Sequence, residues 1–234
     1  MADAQFELLW NLSAPALDAP NRRGAGTSSV ARVDPGAWPL GGIAQHIYLK
    51  RQQAFFCRPA WNTFRRTPTL RRERRFLERA REVGLDVPRI VYYGEGSGDR
   101  AILAVEEVGG AVDLAQALAR ADGAERARIV ERVGDALATL HSARIRHGAL
   151  YPKHILIGST EPFRVTVIDF EKGRGALSAS RAAVRDLDRL ARHAPFLTDA
   201  DWRIVRSRYA ASPRLRRCVD GLSGRGDTRR AGPV

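Results

Sequence analysis

Cysteine is scarce in this chain of 234 residues, and long apolar runs are missing. The only two cysteines, Cys57 and Cys218, lie far apart, which argues against a disulfide framework or a zinc site. No apolar run approaches the roughly 18 residues that a transmembrane helix requires. The amino terminus lacks the basic start and apolar stretch of a signal peptide. These absences favour a location in the cytoplasm.

Lysine is also rare, because only Lys50, Lys153 and Lys172 are lysines among 39 basic residues. With 26 acidic residues, the formal net charge is +13. A basic surface implies anionic partners, such as a nucleotide, a phosphorylated sugar, an anionic lipid or a nucleic acid. Arginine is suited to phosphate because its guanidinium group binds two oxygens at once.

The composition is that of a globular protein, with 44% hydrophobic and 28% charged residues. The length allows one substantial core or two small lobes. Apolar residues at helical spacing predict amphipathic helices over 70–83 and 124–141. We predict four segments: a loosely structured leader over 1–20, a β-rich lobe over 21–108, a mainly helical lobe over 109–220 and a disordered tail over 221–234.

The most informative segment lies between two short apolar runs. Residues 147–154, with the sequence His-Gly-Ala-Leu-Tyr-Pro-Lys-His, precede the run Ile155–Ile157, and the next run ends at Asp169. Protein-kinase-like enzymes build their phosphoryl-transfer site from such a polar loop between two strands, with an acid after the second strand. Strands and one helix come first, and helices follow. The sequence therefore predicts an α+β, protein-kinase-like fold with two lobes.

The loop departs from the kinase template at two positions. The template H-R-D-x-x-x-x-N has its base at the third position and a metal ligand at the eighth, where this chain has Ala149 and His154. Imidazole is a poorer partner for Mg²⁺ than oxygen. His154 is therefore open to three interpretations: a phosphate contact, a proton acceptor near neutral pH, or a structural histidine.

Asp169 is the strongest candidate for a Mg²⁺ ligand, because magnesium prefers hard oxygen ligands such as carboxylates. Glu171 replaces the glycine of the D-F-G motif and is a candidate second carboxylate. The alternative interpretation of this segment is an acidic β-turn without a metal.

Lys50 ends an apolar strand-like run, as does the lysine of the V-A-I-K motif, and a cation there neutralises nucleotide phosphates. Such a lysine needs a carboxylate partner, for which Glu73 in the arginine-rich helix is the first candidate and Glu78 the second. A surface lysine at the end of a strand is the alternative.

Further cofactor contacts are predicted at Gly24 and Gly26, where a glycine-rich loop would let backbone N–H groups approach phosphate. A flexible loop explains these glycines equally well. In the connector that follows the predicted strands, Glu106 and Val108 complete the predicted cofactor contacts.

Together, these segments resemble the bacterial lipopolysaccharide kinase family, and more narrowly its InaA-like branch, related to the heptose and Kdo kinases of the lipopolysaccharide core. The resemblance rests on residues 147–156 and 168–172, and extends to Lys50 and to Glu73 with its neighbours. It implies a kinase-like fold, ATP with Mg²⁺, and a sugar hydroxyl of the lipopolysaccharide core as acceptor. It further implies that Lys50 and Glu73 form an ion pair and that Asp169 binds Mg²⁺.

Three functions follow as hypotheses. The first is a Mg-ATP phosphotransferase that acts on a sugar or glycolipid, for which peripheral contact with the anionic inner face of the inner membrane is an expectation. The second is a pseudokinase, because the sugar kinases of this fold carry an Asp where this chain has Ala149. The third, nucleic-acid binding, ranks lowest because aromatic residues that stack on bases do not interleave with the arginines.

Overall fold

A five-stranded antiparallel sheet organises the first part of the chain in the computed structural model, which describes residues 2–57 and 66–216. Two compact units divide these residues, one drawn from Met1–Leu77 and Pro88–Gly109, the other from Glu78–Val87 and Gly110–Val234. The predicted tail over 221–234 lies outside the described residues.

The first unit begins with helix α1 (Ala2–Trp10) and contains the sheet in the strand order β1-β2-β3-β7-β6. The elements of this unit, in chain order after α1, are β1 (Asn21–Arg23), β2 (Gly26–Val33), β3 (Ile47–Gln53), β4 (Phe56–Cys57), β5 (Thr67–Pro68), the beginning of α2 (Thr69–Glu82), β6 (Ile90–Gly96) and β7 (Arg100–Glu106). Strand β3 lies between β2 and β7, so its backbone is hydrogen-bonded on both sides.

Helix α1 corrects the prediction of a loosely structured leader over 1–20. Phe6 and Leu9 on this helix are 2% and 0% exposed and join the core cluster that contains Val33, Ile47 and Ile102. The guanidinium group of Arg100 forms an ion pair with the carboxylate of Glu7. The prediction failed because this helix is held by the sheet beneath it, a tertiary contact that local composition does not reveal.

The second unit is mainly helical, with a small three-stranded sheet in the order β11-β10-β8 and a two-stranded ribbon of β12 and β9. Its elements are β8 (Ala111–Asp113), α3 (Leu114–Arg120), α4 (Gly123–Ser142), β9 (Ile145–Arg146), β10 (Ile155–Gly158), β11 (Val165–Val167), β12 (Arg174–Gly175), α5 (Ala179–His193) and α6 (Asp199–Ala210). Helix α4 buries Ile129, Val133 and Leu137, as expected from their spacing. None of the described helices is long and apolar enough to cross a membrane.

Residues 78–87 group with the second unit, although the sequence-based division placed them in the first. The physical reason is that the segment after α2 is hydrogen-bonded to β11. Asp86 forms a parallel bridge with Thr166 of β11, and the N–H of Val167 donates to the carbonyl of Asp86 at 3.0 Å. Arg164 adds a hydrogen bond from its Nη2 atom to Oδ1 of Asp86 at 2.7 Å.

Candidate functional site

Lys50 and Glu73 form the predicted ion pair in the first unit. Strand β3 carries Lys50, whose backbone partners are Val30 on β2 and Leu103 on β7. The Nζ atom of Lys50 lies 2.6 Å from Oε1 of Glu73, on the first turns of α2. The side chain of Glu73 is 3% exposed and that of Lys50 is 18% exposed. Of the two candidate carboxylates, Glu73 and Glu78, the structure therefore pairs Glu73 with the lysine.

The two predicted loop glycines have structural reasons of their own. Gly24 is in the turn of the β1–β2 hairpin and has a φ of +60°, a conformation that glycine adopts readily. A Cβ atom on Gly26 would lie 2.5 Å from the carbonyl oxygen of Ala54. Turn geometry and close packing thus account for both glycines, and their contact with a nucleotide stays a prediction.

The connector residues Glu106 and Val108 flank a well-anchored position, Glu107. The carboxylate of Glu107 accepts hydrogen bonds from Nη2 of Arg32 at 2.8 Å and from the hydroxyl of Tyr48 at 2.9 Å. The hydrogen bond from Arg32 holds the pKa of Glu107 below its ordinary value, against the opposing effect of burial. Glu106 itself pairs with Arg89 through Nε at 2.7 Å. These side chains fix the start of the connector.

Asp169 and His154 meet in the second unit. Asp169 follows β11 and has a left-handed backbone, with φ 66° and ψ 61°, which few non-glycine residues adopt. Its Oδ2 atom lies 3.2 Å from Nε2 of His154, while Nδ1 of His154 lies 2.8 Å from the carbonyl oxygen of Ala149. Because a carbonyl only accepts, Nδ1 of His154 carries a hydrogen. The strained backbone therefore turns the Asp169 carboxylate to a histidine whose orientation is fixed.

Glu171 lies in the short 3₁₀ helix Phe170–Lys172 that begins directly after Asp169. Its side chain is 36% exposed and lies 3.7 Å from Nζ of Lys172. Within residues 2–57 and 66–216, no group of three or more His, Cys, Asp or Glu side chains could hold a metal ion by itself. The usual Mg²⁺ site has one or two carboxylates that act together with substrate phosphates, and the role of Asp169 and Glu171 as its ligands stays a prediction.

Ala149 leaves the third position of the loop without a polar side chain. The residue is 2% exposed, and its N–H donates to Nδ1 of His147 at 3.2 Å. The preceding residue, Gly148, has a φ of +78°, and a Cβ atom there would overlap the carbonyl of Lys172. Close packing thus fixes the loop around a position that has no proton acceptor.

His147 is fully buried and neutral. Its Nε2 atom donates to the carbonyl of Ile168 at 2.8 Å, and its Nδ1 atom accepts from Ala149. Burial lowers the pKa of His147 to about 4, and the negative charge of Asp186 only partly offsets this effect. His147 therefore links the loop to the segment before Asp169 as a structural group.

Asp186 on α5 holds the start of the loop, and we did not predict this role from the sequence. Its carboxylate accepts from the backbone N–H of His147 at 2.6 Å and of Gly148 at 2.9 Å. Burial alone would raise the pKa of Asp186, but its hydrogen bonds with His141 and with the N–H of Gly148 keep the pKa below the ordinary value. The signal available in the sequence was a carboxylate among the apolar residues of the segment that forms α5.

Comparisons with known proteins found a matching family model and similar solved structures. The family model of the lipopolysaccharide kinase (Kdo/WaaP) family matches residues 7–209. A solved structure of WaaP in complex with acyl carrier protein is 22% identical and covers 94% of this chain and 87% of that chain, with a TM-score of 0.69. The PknI kinase domain of Mycobacterium tuberculosis is 15% identical and covers 89% of this chain and 92% of that chain, with a TM-score of 0.43.

No protein with curated annotation matches. The likeness to WaaP confirms the predicted α+β, kinase-like fold. The family match covers most of the chain and confirms the family indicated by the loop motifs. The chain belongs to the lipopolysaccharide kinase (Kdo/WaaP) family.

Proposed function

We propose that this protein is an ATP-dependent phosphotransferase whose acceptor is a sugar hydroxyl of the lipopolysaccharide core or of a related glycolipid. The observation that carries the proposal is the ion pair of Lys50 and Glu73 at 2.6 Å in a member of this kinase family. A nearly buried carboxylate beside a lysine at the sheet is the arrangement that orients a cation toward nucleotide phosphates.

The remaining roles are assigned by position. Lys50 neutralises phosphate charge, and Glu73 holds its ammonium group. Asp169 is the Mg²⁺ ligand, with Glu171 as second carboxylate, and the contact between Nε2 of His154 and Oδ2 of Asp169, at 3.2 Å, orients that carboxylate. Gly24, Gly26, Glu106 and Val108 contact the nucleotide. ATP supplies the phosphoryl group when it is bound, and Mg²⁺ neutralises its charge.

A second function, that of a nucleotide-binding pseudokinase, is favoured by Ala149. Its methyl group is buried at the position of the kinase base. Loss of a general base costs about 10²–10⁴-fold in rate, which leaves a slow enzyme as well as an inactive one. Phosphoryl transfer depends mainly on positioning and charge neutralisation, so we retain the enzyme as the first candidate.

Thermal stabilisation by ATP, with and without Mg²⁺, tests the nucleotide site. We expect Mg-ATP to raise the melting temperature of the parent protein and to have little effect on Lys50→Ala and Asp169→Ala. Arg120→Ala is the matched control, since Arg120 is an exposed cation at the end of α3. If both site variants respond to Mg-ATP as the parent does, the assignment of the nucleotide site is wrong.

Turnover of ATP in the presence of a lipopolysaccharide-core glycolipid separates the enzyme from the pseudokinase. We expect Ala149→Asp to raise turnover, by up to about 10²–10⁴-fold, because it restores a proton acceptor. Melting temperature is measured in parallel, since the new carboxylate enters a buried position. Mg-ATP binding without turnover in the parent, and without a gain in a folded Ala149→Asp variant, would favour the pseudokinase.

A cytoplasmic location at the inner face of the inner membrane is also part of the proposal. The net charge of +13 supports contact with anionic lipid headgroups, near which a glycolipid acceptor would lie.

A further inference from the structure

Four arginines lie together in the second unit, and we call Arg146, Arg174, Arg185 and Arg189 the arginine cluster. Arg146 on β9 is the cross-strand partner of Arg174 on β12. Arg185 and Arg189 are one helical turn apart on α5. Burial lowers the pKa of Arg146, Asp186 opposes this effect, and the charges of the other three arginines lower the pKa further. The cluster therefore concentrates positive charge at one place.

Two guanidinium groups of the cluster have unmet hydrogen-bonding capacity. In the described part of the chain, the Nε atoms of Arg146 and Arg189 are buried and have no hydrogen-bond partner. An unsatisfied buried donor costs free energy, so such groups in native proteins call for an explanation. A bound anion would contact the exposed residues Arg174 and Arg185, with the charge of the two partly buried guanidinium groups beside it.

The acids of α5 are also engaged by groups outside the cluster. Asp186 lies 3.8 Å from Nε of Arg146, beyond hydrogen-bond distance, and its oxygens accept from His141, His147 and Gly148. Asp188, the other acid of this helix, lies 3.3 Å from NH2 of Arg192, which is outside the cluster. The four guanidinium groups of the cluster thus outnumber the two carboxylates of α5, each of which also contacts a group outside the cluster.

The cluster is joined to the polar loop through Tyr151. The Nη1 atom of Arg189 donates to the hydroxyl of Tyr151 at 2.9 Å, and the guanidinium group lies 5.5 Å from the centre of the tyrosine ring. The N–H of Tyr151 in turn donates to the carbonyl of Ala149 at 2.9 Å. An anion held by the cluster would therefore lie on the side of the loop that Tyr151 occupies.

We propose that the arginine cluster is an anion subsite that binds a phosphate group of the acceptor. Phosphate fits better than a single carboxylate because it offers more oxygens and more charge to several guanidinium groups at once. The subsite would place an acceptor that already carries a phosphate beside the loop. That the phosphate belongs to the acceptor rests on the proposed function, whereas the existence of the subsite does not.

Binding of inorganic phosphate to the nucleotide-free full chain, measured by calorimetry at constant ionic strength, tests the subsite. We expect Arg174→Gln and Arg185→Gln to weaken phosphate binding by at least about tenfold each. Both residues are exposed, so the variants should fold. Arg203→Gln, an exposed arginine on α6, is the matched control and should bind phosphate as the parent does.

Two results would overturn the subsite. One is an equal loss of phosphate binding in Arg203→Gln, which would show that net charge alone is responsible. The other is loss of phosphate binding in Lys50→Ala with no effect of Arg174→Gln, which would place the phosphate at the nucleotide site. Phosphate binding that depends on the cluster, in a chain that Mg-ATP fails to stabilise, would refute the proposed function and leave the subsite standing.

A second arm tests the source of the phosphate. Binding of a phosphorylated core glycolipid is compared with that of the same glycolipid after phosphatase treatment. We expect phosphatase treatment of the glycolipid to weaken its binding to the parent protein about as much as Arg174→Gln weakens binding of the untreated glycolipid. In the Arg174→Gln variant, phosphatase treatment should have little further effect. Equal binding of both glycolipids to the parent would contradict the assignment of the phosphate to the acceptor.

Discussion

The neutral, buried His147 shows how much of the loop is held by single polar atoms. Its two ring nitrogens have opposite roles, one donating to Ile168 and the other accepting from Ala149. A proton added to the accepting nitrogen would remove that acceptor and place a charge in the core. The tautomer of one histidine thus contributes to the shape of the loop.

We predict that this histidine makes stability depend on pH. The folded pKa of about 4 lies below the ordinary 6.5, so the unfolded chain binds a proton that the folded chain does not. The contribution of neutral His147 to the free energy of unfolding is fully present above pH 6.5 and is lost as the pH falls toward 4. The slope is at most about 1.4 kcal/mol per pH unit.

Urea unfolding from about pH 5 to 6.5 measures this slope above the range where most carboxylates titrate. His147→Gln should flatten the dependence of the unfolding free energy on pH, whatever its effect on overall stability. Leu177→Gln, which changes an exposed residue without a titratable side chain, should leave the slope as it is. An unchanged slope in His147→Gln would refute the prediction.

At the scale of elements, α1 depends on a pair of glycines in the strand beneath it. A Cβ atom on Gly94 would lie 3.0 Å from Cδ2 of Phe6, and a Cβ atom on Gly96 would overlap the same ring. Both glycines are on β6 and, two residues apart, they face the same side of the sheet. The strand thus leaves a recess that the Phe6 ring fills, which explains why α1 is seated there.

We predict that Phe6→Ala destabilises the protein by about 3–5 kcal/mol, because it removes a buried ring and leaves a cavity. Leu8→Ala on the same helix is the control. Its side chain is 49% exposed, and we expect a change of about 0.5 kcal/mol or less. Chemical denaturation measures both variants, and similar losses would show that α1 is not anchored by Phe6.

The sequence predicted those elements whose signals are local. The spacing of Ile129, Val133 and Leu137 predicted α4. The V-A-I-K motif predicted the pairing of Lys50 with a carboxylate of α2, although Lys50 lies in the middle of β3 and not at its end as expected. The role of Asp186 escaped prediction because it depends on backbone groups some 38 residues earlier in the chain. The packing of α1 against β6 was not predicted for the same reason, since β6 lies far along the chain from α1.

At the scale of the whole molecule, 39 basic residues outnumber 26 acidic ones, so acidic side chains are too few to pair one to one with every arginine. Arg32, Arg126 and Arg208 pair with Glu107, Asp201 and Asp135, respectively. The chain nevertheless retains a formal charge of +13. Attraction to an anionic lipid surface is therefore expected to be electrostatic and to weaken with salt.

We predict binding to vesicles that contain anionic phospholipid, at low salt, and no binding to vesicles of phosphatidylcholine alone. Each arginine near the surface contributes about 1 kcal/mol. In about 1 M salt, where the Debye length is about 3 Å, binding should be lost. Co-sedimentation with the two kinds of vesicle measures this difference, and binding that persists in high salt would exclude an electrostatic mode.

The pair of Lys50 and Glu73 also has a consequence for chemical labelling. The amine of Lys50 is hydrogen-bonded to a carboxylate and 18% exposed, whereas Lys153 and Lys172 are exposed. An amine-acylating reagent should therefore modify Lys153 and Lys172 before Lys50. With only three lysines to follow, mass spectrometry would resolve each one, and delayed acylation at Lys50 would report directly on whether the pair is closed in solution.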